Sequence, residues 1–61
     1  MTAQEGIKKL LTVYGWSQNK LAPRLGMSQP NLSRIIAGHV KRVDYRAADR
    51  IREMLANKER P

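Results

Sequence analysis

An all-α fold of four or five helices is predicted by three observations. Apolar residues recur at helical spacing in four separate stretches of the chain. The first three stretches are each preceded by a Ser or Thr placed to cap them and followed by a Gly able to stop the helix. The chain has 61 residues, the length of one small domain, which buries only about 60% of its unfolded surface and leaves little room for an enclosed active site. Residues 1–61 are therefore read as a single compact domain.

Thr2 with Glu5 three residues on forms a capping box, so the first helix starts at Ala3. Ile7, Leu10, Leu11 and Tyr14 follow the i, i+3, i+4, i+7 rule as one apolar stripe, and Lys8 and Lys9 fall off it. Gly15 is placed to end this helix as a left-handed cap. Trp16, the only Trp, directly precedes the cap Ser17. It reads as a core plug between the first two helices, stapled to Leu21.

The second helix spans about Gln18 to Leu25, with Leu21 and Leu25 on one face and Ala22 small enough to let a neighbour cross closely. Pro23 breaks the pattern. As the sixth residue it lacks the donor that a regular helix needs and crowds the carbonyl of Asn19, at a cost of up to ~3 kcal/mol. A local kink or a loosened first turn is expected there. Gly26 supplies the positive backbone angle of a tight turn, and Met27 plugs the angle between the two helices.

The third helix spans about Gln29 to Ala37, with Ser28 as its cap and Pro30 in the first turn, where a missing N–H costs nothing. Leu32 and Ile35 point inward. That turns Pro30, Ser33, Arg34 and Ala37 outward, with Gln29 and Asn31 at the flanks. Amides, hydroxyls and Arg are the groups that match base edges in the major groove of DNA. Gly38 stops the helix, and His39-Val40-Lys41-Arg42 leads to the last one. Val43, Ala47, Ala48, Ile51 and Leu55 mark that final helix, with Asp44 near its start. Its surface of Arg46, Asp49, Arg50, Arg52 and Glu53 is mixed in sign and reads as solvated. Tyr45 and Met54 are its spare apolar groups, and the tail 57–61 is expected to fray.

Charge narrows the function. Twelve Lys and Arg against five Asp and Glu give a net charge of +7, and no acidic residue lies between Glu5 and Asp44. Lys8, Lys9, Lys20, Arg24, Arg34, Lys41 and Arg42 all lie in that interval. A segment of one sign points to a polyanionic partner. There is no Cys, and the lone His39 has no neighbour with which to hold a metal. Neither a nucleophile–base pair, nor paired carboxylates, nor a phosphate loop is visible, so no enzyme activity, cofactor or small-molecule ligand is expected. No apolar run approaches membrane-spanning length, and the N-terminus lacks the order of a signal peptide. A cytoplasmic protein with no membrane partner follows.

The stretch from Gln18 to Gly38 resembles the helix-turn-helix of the Cro/cI-type phage repressors. The matching residues are Gln18, Leu21-Ala22, Leu25-Gly26, Ser28-Gln29, Leu32, Ile35 and Ala37-Gly38. The motif covers about residues 18–37, and a looser likeness extends over most of the chain. Pro23 departs from the pattern, which usually has a polar helix former there. The resemblance implies a lambda-repressor-like domain whose third helix enters the major groove. Gln29, Asn31, Ser33 and Arg34 would then read base edges, and Pro30 could offer an apolar contact. Gln18, Lys20, Ser28, His39, Lys41 and Arg42 would touch the DNA backbone, with Gln18 also steadying Gln29. The implied partner is a double-stranded, palindromic operator bound by a weak homodimer, formed or strengthened on DNA, that represses transcription. A basic interaction module or antitoxin-type protein that binds an acidic protein surface is the alternative.

Overall fold

A computed structural model describes residues 2–40 and 42–61. The chain folds into α1 (Ala3–Thr12), α2 (Gln18–Arg24), α3 (Gln29–Ile36) and α4 (Tyr45–Ala56), with no strand and no fifth helix among the described residues. Three caps stand where the sequence places them, and Asp44, expected only near the start of the last helix, proves to be its cap. Thr2, Ser17, Ser28 and Asp44 each accept a backbone N–H from the first turn of the helix that follows. At α1 the Thr2 hydroxyl also donates to the Glu5 carboxylate at 3.2 Å, closing the expected box through the side chain.

The turn between α2 and α3 shows why a glycine is needed. Gly26 has φ +73°, where a Cβ is strained. The Met27 N–H donates back to the Ala22 carbonyl at 3.0 Å, and the Gly26 N–H to the Pro23 carbonyl at 3.1 Å. This pair of reversed bonds satisfies carbonyls that the helix end leaves free. Pro23 does not interrupt α2, which runs through it unbroken to Arg24.

One core joins all four helices. Ile7 and Leu10 of α1, Leu21 and Ala22 of α2, Leu32 and Ile35 of α3, and Ile51 and Met54 of α4 are all buried together with Trp16 and Leu25. Helix α1 packs on both α3 and α4, and α2 packs on α3. Leu11, Tyr14 and Met27 are half-buried at its edge.

Two expectations are corrected. Met54 is not a spare surface group but 3% exposed, with Ala47 and Ile51 as the inner face of α4. Leu55 is only half-buried. On a helix of 3.6 residues per turn, seven residues return within about 20° of the starting direction, whereas eight overshoot by about 80°. The i+7 position therefore wins over i+8.

The tail is the second correction. Lys58 adopts a left-handed backbone (φ 52°) and the Glu59 N–H donates to the Met54 carbonyl at 3.0 Å, so the chain reverses past α4. Residue 59 then lies against Trp16, whose indole N–H donates to the Glu59 carbonyl at 3.0 Å. The Arg24 guanidinium pairs with the Glu59 carboxylate and sits 5.9 Å from the Trp16 ring centre, and that of Arg60 lies 5.8 Å from the Tyr14 ring. A buried indole needs an acceptor for its N–H, and the tail supplies it from 43 residues away.

Candidate nucleic-acid interface

Helix α3 is built to present one face. Leu32 and Ile35 are held in the core at 0% and 5% exposure. Their spacing turns Gln29, Pro30, Asn31, Ser33, Arg34 and Ala37 to solvent, and all six are exposed. Ser28 caps the helix by accepting the Asn31 N–H at 3.3 Å, which leaves its own hydroxyl proton free to donate outward. Pro30 falls in the first turn, where it displaces no helical bond.

The Gln29 amide donates to the side-chain oxygen of Gln18 at 2.8 Å. This bond ties the first residue of α3 to the first residue of α2 and fixes the Gln29 side chain above the start of α3. Ser28, Asn31 and Arg42 line one open groove. Lys20 stands elsewhere, beside Trp16, Arg24 and the tail. His39 is exposed just past the end of α3. Lys41, expected at the DNA backbone, lies outside the described residues.

Two positioning side chains were not foreseen from the sequence. The Gln4 amide of α1 donates to the Ile36 carbonyl in the last turn of α3 at 3.0 Å. The Arg50 guanidinium of α4 donates to the Arg24 carbonyl, at the last residue of α2, at 3.2 Å. Each short helix thus has its carboxyl end tied by a polar side chain from a longer one. Both ties offset carbonyls that a helix end leaves without partners. Gln4 and Arg50 bear no local mark of this role, since their acceptors are 32 and 26 residues distant.

No acidic residue lies on the presented face of α3 itself, although Asp44 lines a groove with Ser28 and Asn31, and four of the five acidic residues are engaged elsewhere. Glu5 and Asp44 serve at caps, Asp49 pairs with Arg52 at 3.1 Å, and Glu59 pairs with Arg24. Arg34 has no ion-pair partner among the described residues. Its charge is presented to solvent.

With this geometry in place, a family model described as helix-turn-helix matches residues 7–56. The chain belongs to the Cro/cI-type helix-turn-helix family. Members are DNA-binding transcriptional regulators rather than enzymes, and their partner is double-stranded DNA. No curated protein and no solved structure matches the chain. The match to the helix-turn-helix family begins within α1 and ends at the last residue of α4, so it takes in α2, the turn and α3 whole. No helix of this helix-turn-helix protein, among the described residues, is long and apolar enough to cross a membrane.

Proposed function

We propose that the protein is a transcriptional repressor that binds a palindromic operator as a dimer, with α3 in the major groove and α2 across the backbone. The outward face of α3 carries this reading. It offers amides, a hydroxyl and a guanidinium, has no acidic group, and has Gln29 already held by Gln18. Gln29, Asn31, Ser33 and Arg34 read base edges, Gln by the two-point pattern that suits adenine and Arg by the one that suits guanine. Pro30 offers an apolar contact suited to a thymine methyl. Gln18, Lys20, Ser28, His39, Lys41 and Arg42 serve the phosphates, which set register rather than sequence.

Magnitudes favour two copies. One such domain covers roughly 600–1,000 Å², whereas a specific site needs about 4–10 kcal/mol of discrimination over other DNA. Three or four readers at about 1–3 kcal/mol per good two-point pair barely reach that. Two domains on half-sites about 10 base pairs apart reach it with margin. With Met54 in the core, Tyr45, 69% exposed, is the large exposed apolar group left on α4 to support a weak protein–protein contact.

Selection of bound duplexes from a random pool, at physiological salt, tests the reading. Enrichment of inverted repeats with centres one helical turn apart is the expected result. A single short site would keep the motif but remove the dimer. No enrichment would leave a basic helical domain, and binding to an acidic protein surface would become the better account.

A further inference from the structure

Helix α4 looks like a solvated surface in the sequence, yet its first two turns face the helix-turn-helix. An open groove of about 550 Å³ runs between the α2–α3 turn and the start of α4. One wall carries Ser28 and Asn31, from the cap and first turn of α3. The other carries Arg42, Arg46 and Arg50, spaced four apart. We infer that this groove is a phosphate-binding surface in which Arg46, with Arg50 behind it, grips the DNA strand that borders the major groove occupied by α3. The inference rests on the proposed DNA-binding mode and extends its footprint from the motif onto α4.

The chemistry of both walls suits an anion. The Ser28 oxygen accepts the Asn31 N–H, so its own proton points to an acceptor outside. Arg50 spends one N–H on the Arg24 carbonyl and keeps the rest of its five donors. Arg46 is held over the Tyr45 ring, 5.9 Å from its centre, with its Nε 3.4 Å from the Tyr45 hydroxyl. None of the three arginines has an ion-pair partner among the described residues. Asp44 also lines the groove, but its carboxylate accepts the Arg46 N–H as the cap of α4. Three guanidinium groups against one capping carboxylate leave the groove positive. Arg52 provides a contrast on the same helix. It is paired with Asp49 and lines a different depression, with Thr2, Ala3, Ala48 and Ile51.

The test is a salt titration of duplex binding by fluorescence anisotropy. The full 61-residue protein, R46A, R46K and R52A are each measured with a mixed-sequence duplex of about 20 base pairs, long enough for two half-sites. Arg46 is exposed, so little packing is lost, and R46Q repeats the measurement if R46A alters the thermal melt. Removal of one phosphate contact should flatten the log–log salt slope by about 0.9 and weaken binding roughly fivefold at physiological salt. R46A should show both changes, R46K should restore the slope, and R52A should match the wild type. Equal losses in R46A and R52A would reduce the effect to net charge and overturn the groove. A wild-type-like R46A would overturn it while leaving the motif's DNA binding intact. A wild-type curve flat in salt would sink both the groove and the DNA-binding mode beneath it.

Discussion

Helices α2 and α3 are made to nearly the same recipe and put to different uses. They have 7 and 8 residues, each opens on a Ser cap, and each closes on a left-handed Gly. Each is also pinned at its carboxyl end, α2 by Arg50 and α3 by Gln4. The difference lies on their outer faces. On α2, Arg24 is taken up by Glu59 and the Trp16 ring, so that face is held by the rest of the domain. On α3, Arg34 has no such partner and the whole outer face is open. Similar local construction therefore yields one helix that is held and one that is presented, and the neighbours make the distinction.

The comparison can be broken most sharply in the core. Leu21 and Leu32 are both fully buried, so Leu21→Ala and Leu32→Ala should each cost about 2–5 kcal/mol. Circular-dichroism melts should show either change removing most of the stability of so small a domain. A mild effect from one of them would mean the two helices are not equally anchored. Next in size is the contrast between the arginines. Arg34→Ala should leave the melt unchanged but cost about 1–3 kcal/mol of discrimination between operator and mutated operator. Arg24→Ala should do the reverse, lowering the melt slightly, within the ~1 kcal/mol of a surface pair, and preserving sequence preference.

The caps come third. Ser17→Ala and Ser28→Ala should each cost about 1 kcal/mol, a fall of about 4–8 °C in Tm for a domain of this size. The prolines give the smallest effect. Pro23→Ala should raise Tm modestly, because the restored N–H outweighs the ~0.4–1 kcal/mol that a stiffer unfolded chain contributes. Pro30→Ala should leave Tm nearly unchanged, since its position has no helical bond to regain. A fall in Tm for Pro23→Ala would show that the proline's ring, rather than its missing donor, governs the end of α2.

Much of the fold was legible because its signals are short-range. Thr2, Ser17 and Ser28 cap amides three residues on, and the turn residues Gly26 and Gly38 act on carbonyls three residues back. Apolar spacing then turns Leu32 and Ile35 inward and so exposes Gln29, Ser33 and Arg34. The Gln18–Gln29 bond was also foreseen, from the resemblance rather than from spacing. What escaped the reading was long-range. Nothing near Trp16 announces that its N–H will meet the Glu59 carbonyl, and a polar tail with no apolar anchor reads as free. Met54 differs for another reason: counted from Ala47, the helical period places it rather than Leu55 on the inner face, and an i+8 pairing of Ala47 with Leu55 misreads that period.

By itself, then, the sequence determined four helices, three of them with their caps, a basic interval free of carboxylates, and a third helix with a polar outer face. These depend on periodicity and on neighbours within a turn or two, which a chain carries before it folds. Tertiary structure decided which charges are neutralised and which are offered. Glu59 reaches Arg24, Asp49 keeps Arg52, and Arg42, Arg46 and Arg50 come together at the motif's turn. Coulomb attraction and hydrogen bonding act across space rather than along the chain, so the electrostatic surface of this protein exists only once its helices have met.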